Sequence, residues 1–262
     1  MGKGKTGHCH ICGYFTKLTF EHVPPRAAFN DRRILYREIF EIINKNPAEI
    51  SGGKVSQKGA GSYTLCTRCN NNTGSWYGQS FVEWAYQGMN VLHYAKNRPT
   101  LYYNFFLFPL RVIKQIVCMF FSVNAPSFRE QNPYLESFVL NRDIKYLPSN
   151  IRIYIFYNPS HHMRSSAVAC SFEFSSGYKL FSELTYPPFG YVMSFDSKPP
   201  HRDMVDITHF ASYEFNAWTD IPLKLPVLSV VSYLPGDYRS KAKIEDVWNA
   251  NQQKKRANDQ KI

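Results

Sequence analysis

Four of the six cysteines stand in two Cys-x-x-Cys pairs, Cys9-His10-Ile11-Cys12 and Cys66-Thr67-Arg68-Cys69. Each pair sets two thiols close together along the chain, and two pairs offer the four soft ligands that tetrahedral zinc requires. No βαβ pattern surrounds either pair, as a redox motif would need. The first residues lack the apolar stretch of a secretory signal, so disulfides are not expected. The spacing predicts a structural zinc site of Cys9, Cys12, Cys66 and Cys69. Cys118 and Cys170 lie in apolar runs and read as buried small side chains. A second set of chemistry-bearing residues lies between the pairs and just after them. Glu21 and His22 are neighbours in Leu18-Thr19-Phe20-Glu21-His22-Val23-Pro24-Pro25, and Asn70 directly follows Cys69. An imidazole with a pKa of about 6.5 accepts a proton at neutral pH. Carboxylate and amide oxygens suit a hard divalent ion.

These residues need elements to hold them. Leu18, Phe20 and Val23 read as a strand that Pro24-Pro25 ends. Ser62–Leu65 reads as a second strand leading into Cys66. After Asn70–Gly74, Trp76, Tyr77, Phe81, Trp84, Ala85 and Met89 recur at three- and four-residue steps, predicting a helix. Between the strands, residues 33–44 read as an inserted helix. The segment Ser51–Ser62 has too little apolar content to fold unaided, and a metal clip would supply the missing stability.

The order Cys-x2-Cys, Glu-His-Val-Pro-Pro, Leu-Cys-x2-Cys-Asn resembles the HNH endonucleases, ββα-metal nucleases built around a zinc knuckle. The resemblance covers residues of about 7–90. It implies that His22 is the general base that activates water. It also implies that Asn70 and Glu21 hold one catalytic divalent ion, Mg²⁺ or Mn²⁺. Two positions depart from the family. Gly61 stands where an Asn or His usually helps hold the histidine loop, and Asn71, Asn72 and Asn30 are the candidates to replace it. Thr73 stands where a Lys often faces phosphate. The departures leave a second reading, a catalytically decayed zinc-knuckle protein that binds nucleic acid. A third reading is a structural partner in a larger complex.

The charge distribution fits a polyanion partner. The 262-residue chain carries a formal +11. Residues 1–100 hold 13 Lys and Arg against 6 Asp and Glu, and residues 101–250 hold 14 against 13. Residues 251–262 hold 4 against 1, so the excess falls on the segment with the motif and on the extreme tail. Arg26, Lys54, Lys58 and Arg68 are the expected nucleic-acid-binding residues, contacting phosphates without sequence choice. DNA is the expected substrate, with RNA as the second candidate. By analogy, such modules with appended domains resemble effectors of restriction and phage defence.

The expected fold class is α+β. Residues 1–98 form the N-terminal ββα-metal HNH module with its zinc. Residues 99–262 form a mixed, mainly antiparallel α+β recognition or assembly domain with a basic tail, the expected route to a protein partner or homo-oligomer. In that second part a helix is expected at 106–121, with Arg111 and Lys114 on an exposed face, and another at 133–141. Strands are expected at 151–157, 167–174, 190–195, 209–215 and 227–234. A last helix would start near Ile244, followed by a disordered tail at 253–256. The stretch from Leu101 to Val123 is long enough to span a membrane, but Arg111 and Lys114 at its centre argue against insertion. No membrane association is expected, and the expected location is the cytoplasm.

Overall fold

The computed structural model describes residues 5–39, 41, 52–160, 162–173 and 177–259. β1 (Thr6–His8) and β2 (Phe15–His22) form a hairpin around the first cysteine pair. β3 (Ile34–Tyr36) pairs with β4 (Lys54–Ser56). β5 (Gly61–Cys66) returns antiparallel to β2, giving the sheet order β1-β2-β5. The chain then runs helically through α1 (Thr67–Thr73), a wide π-type turn (Gly74–Gly78) and α2 (Gln79–His93). The expected strand–strand–helix order is therefore present. The helix expected at 33–44 is not what the first of those residues form, since Ile34–Tyr36 are a strand; residues 40 and 42–44 lie outside the described ones.

β6 (Thr100–Leu107) leads into α3 (Pro109–Val123), followed by α4 (Ser127–Gln131) and α5 (Pro133–Leu140). Then come β7 (Ile151–Tyr157), β8 (Arg164–Glu173), β9 (Gly177–Tyr186), β10 (Phe189–Phe195) and β11 (Val205–Asp206). They form an antiparallel sheet in the order β11-β7-β10-β9-β8. A 3₁₀ turn (Thr208–Ser212), β12 (Thr219–Pro226) and α6 (Lys241–Asp259) complete the fold, with β12 antiparallel to β6. The class is mixed α+β.

Several expectations need correction. The helix expected from 106 starts at Pro109, because Leu101, Phe105 and Leu107 bury one face of a strand. Proline at the first helical position lacks only an N–H that would have no partner there. α3 is apolar on nearly every side and buried except at Arg111 and Val123, as such a helix must be. Lys114 is fully buried, not exposed. Its Nζ donates to the carbonyls of Phe138 and, at 2.7 Å, of Asn141, at the C-terminal end of α5 where helix carbonyls lack partners. Arg111 is half-buried over the rings of Phe108 and Phe215. Cys118 is buried, but Cys170 is exposed on the edge strand β8. Residues 209–215 begin in a 3₁₀ turn, and 227–234 form no strand. The strand beside β6 is β12, whose Pro222 and Pro226 are tolerated because the strand has only one neighbour. Residues 253–256, expected to be disordered, continue the helix α6.

One core cluster contains Ile11, Leu65, Tyr77 and Trp84 together with Phe105, α3, Phe189, Tyr191 and Leu225, so buried packing runs across the expected boundary at 98/99. Trp84 is the joint. Its ring stacks on Phe189 at 4.8 Å, and its Nε1–H donates to the Tyr191 hydroxyl at 2.9 Å. Gly88 admits Phe189, whose ring would lie 2.2 Å from any added Cβ. Among the described residues, no helix is long and apolar enough to cross a membrane.

Candidate functional site

The four cysteines converge. Their sulfurs all lie within 4.8 Å of one another, and Cys12 Sγ is 3.8 Å from Cys66 Sγ. With Zn–S bonds of about 2.3 Å, a tetrahedral site separates sulfurs by about 3.8 Å, so the geometry suits a metal ion and the donor set fits zinc. Backbone N–H groups serve the sulfurs: Cys66 N donates to Cys9 Sγ at 3.3 Å and Cys69 N to Cys66 Sγ at 3.4 Å. Gly13 closes the first turn at φ +73°, its N–H donating to Cys9 O. Hydrogen bonding, first from the Cys69 thiol and then from backbone N–H groups, pulls Cys9 down to about 4 against its burial. Burial pushes Cys12 up, and hydrogen bonding to Cys9 raises Cys69. Thiols this close cannot all ionise unless a cation joins them. Among the described residues these cysteines are the group able to hold a metal through three or more His, Cys, Asp or Glu side chains.

Glu21 and His22 end β2, and their side chains leave on opposite sides, as neighbours in a strand do. His22 lies on the Phe20 side, with its ring 4.9 Å from that ring. Burial holds its imidazole below the usual value. A hydrogen bond to the Lys58 backbone opposes this, and the charges of Arg26 and Lys58 reinforce it. Neutral imidazole is therefore the favoured form. Glu21 turns inward, where its charge is felt by the buried Cys118 thiol of α3. Burial pushes the Glu21 carboxyl up to about 8. Among the described residues it has no hydrogen bond or ion pair.

Asn70, in the first turn of α1, packs back against β2. Its Nδ2 donates to Thr19 Oγ1 at 2.9 Å, and Thr19 Oγ1 donates to Leu65 O at 2.9 Å. The amide is thus fixed through its nitrogen. Thr19 and Glu21 share a strand face, so Glu21 and Asn70 belong to the same side of β2.

The two departures from the family pattern have physical causes. Gly61 sits at φ +155°, and an added Cβ would fall 2.1 Å from Glu21 O, so no larger residue fits there. Asn30 is the buried asparagine that holds the loop after His22. Its Nδ2 donates to Pro24 O at 2.6 Å and Ala60 O at 2.8 Å, and its Oδ1 accepts from Ala60 N at 2.6 Å. Thr73 is buried, its hydroxyl donating to Cys69 O. Arg26, Lys54, Lys58 and Arg68 are all exposed. Arg26 and Lys58 act on His22. Arg68 lies beside the cysteines and over the Tyr14 ring, and Lys54 is in β4.

Three supporting residues carried no signal in the sequence. Thr19 orients Asn70, Tyr36 accepts from Gly61 N at 2.8 Å, and Tyr186 donates to Phe29 O at 2.7 Å, bracing the loop from 157 positions away. Only the alternation of Thr19 with Glu21 along β2 would have marked the first. No protein-family model matches this chain, and neither a curated protein nor a solved structure is detectably similar to it.

Proposed function

We propose that the protein is a metal-dependent endonuclease of HNH type that hydrolyses phosphodiester bonds of DNA. The observation that carries this reading is the junction of β2, β5 and α1. There a neutral-favouring histidine ends the strand, and the half-buried Glu21 carboxyl, desolvated and without a partner among the described residues, shares a strand face with a fixed asparagine. A desolvated carboxylate of this kind is costly unless a cation or hydrogen-bond donors meet it. Glu21 and Asn70 would supply oxygens to a Mg²⁺ or Mn²⁺ ion, which when bound stabilises charge on the phosphate and leaving oxygen. Because His22 leaves the strand on the side opposite Glu21 and Asn70, the scissile phosphate would have to lie over the tip of β2, where the strand ends and both sides can be reached. His22 takes a proton from the attacking water, and Arg26 and Lys58 hold neighbouring phosphates and keep the imidazole neutral. Asn30 and Gly61 set the position of the histidine loop, and the four cysteines, with zinc, pin β2 and β5 to α1.

The test is plasmid nicking with Mg²⁺ or Mn²⁺. His22→Ala should lower the rate by about 10²–10⁴-fold; equal rates would overturn the assignment. The burial of Thr73, which leaves no phosphate-facing lysine after the knuckle, favours the second reading, a zinc-knuckle protein that binds nucleic acid without cutting it. Salt-sensitive DNA binding by a wild type that does not nick would select it.

A further inference from the structure

On the face of the molecule that continues from the histidine loop, tyrosines stand exposed in a row. Phe29, in that loop, has its ring 4.7 Å from Tyr86 of α2. Asn90 follows on the same helical face, and Tyr94, the residue just past the end of α2, is 75% exposed. Four-residue steps keep these positions on one side, and Tyr86 and Tyr94 are about 12 Å apart along the axis. At the end of α2 the row meets a cleft of about 560 Å³ between the helix and β6, lined by Asn90, Tyr94, Arg98, Tyr102 and Tyr103 among others. Tyr102 is 69% exposed, and Lys224 of β12 stands directly across from it.

The charge in this cleft has one sign. Its lining includes Arg98 and no carboxylate. Among the described residues the Arg98 side chain has no ion-pair or hydrogen-bond partner, and the exposed Lys96 lies two positions before it. The acid on this sheet face, Asp220, lies opposite Phe106 at the far end and is engaged by Asn104 at 2.9 Å. Exposed rings at intervals, cations beside them and space for a flat group form the combination that binds unpaired bases. Every base has a face to stack, and every intervening phosphate a charge to neutralise. A protein partner would leave Arg98 and Lys224 without the acidic complement that a phosphate chain provides at each step.

We infer that Tyr86, Tyr94, Tyr102 and Arg98 form a track for single-stranded nucleic acid, with bases stacked on the tyrosines and the strand leading toward His22. The direction of the track rests on the nuclease reading; binding to it does not. It gives the protein a preference for substrates with an unpaired strand beside the cleavage point.

The test uses the full chain without added divalent ion and follows the anisotropy of a fluorescent oligodeoxythymidine and of a duplex. Tyr94→Ala and Tyr102→Ala should each weaken single-strand binding by about five- to a hundredfold. Tyr94→Phe should bind as wild type, because the ring face is kept. Arg98→Gln should reduce the slope of log affinity against log salt by about 0.7. Duplex affinity should be unchanged by the alanine variants. Both tyrosines are exposed, so these variants should fold, and circular dichroism checks that they do. Unchanged single-strand affinity in both alanine variants, or equal losses for duplex and single strand, overturns the inference. A wild type that nicks plasmid but does not hold the single strand also overturns it and leaves the nuclease standing. Tyrosine-dependent single-strand binding by a protein that never nicks supports the track and removes the nuclease.

Discussion

Replacing Asn30 with alanine should cost more than any surface change near the histidine loop. The side chain is fully buried and spends its hydrogen-bonding groups on three backbone partners. Ala60 O keeps a second donor, Val23 N at 3.0 Å, and so survives the change. Pro24 O and Ala60 N do not, and each is left inside the protein without a partner. An orphaned buried group costs about 1–3 kcal/mol, so two predict a loss of about 2–6 kcal/mol. Asn30→Asp should be no better: it keeps the acceptor for Ala60 N but turns a second oxygen toward two carbonyls. Urea unfolding followed by far-ultraviolet circular dichroism measures this. The midpoint should fall with the slope unchanged, because the surface exposed on unfolding is the same. The clamp lies between His22 and Gly61, so nicking should fall as well, and at temperatures where the variant is still folded. A stability change below about 0.5 kcal/mol would refute the view that Asn30 holds this loop.

Metal content is directly measurable: elemental analysis should find one zinc per chain, and strong chelation or Cys69→Ser should unfold β1, β2 and β5. A folded, metal-free protein would sink the structural role of the cysteines. Lys114 gives a pH signature. Burial lowers its pKa to about 8 from an unfolded value near 10.5. Between those values the unfolded chain binds more protons than the folded one, so stability should rise with pH across that window. Lys114→Met should remove that rise, and parallel pH–stability profiles in the two proteins would contradict the assignment.

The elements near the motif are legible because their causes are local. Two Cys-x-x-Cys pairs announce a four-sulfur site, and the apolar steps from Trp76 announce a helix, whatever the rest of the chain does. The relation of Glu21 to His22 is less legible: both lie at the tip of β2, but only the position of α1 and α3 decides which side is buried. Asn30 could be named as a replacement for the missing family residue but not chosen over Asn71 and Asn72, because Ala60 is brought beside it by pairing 30 positions away. The burial of Lys114 is illegible for a related reason. Helical spacing puts it near Arg111, while the carbonyls that accept its charge come from the end of α5. β12 is hard to read from sequence, since Pro222 and Pro226 count against a strand interior unless the strand has only one neighbour.

The burial of Trp84 against Phe189 bears on how this chain can be divided. A fragment ending near residue 98 would carry the cysteines, Glu21, His22 and Asn70, yet it would strip the cover from Tyr77, Phe81 and Trp84. Aromatic side chains bury about 150–250 Å² each, so the three would bare about 600 Å². That is the upper end of what a monomer exposes in one patch, and such a fragment should self-associate. The later sheet thus acts as a built-in solubiliser for the earlier segment. Moving residues 1–98 onto another scaffold would require carrying β9 and β10 along, or repainting the face of α2 with polar residues. Trp84 also provides an intrinsic optical readout, since its emission should shift to the red when that face meets water.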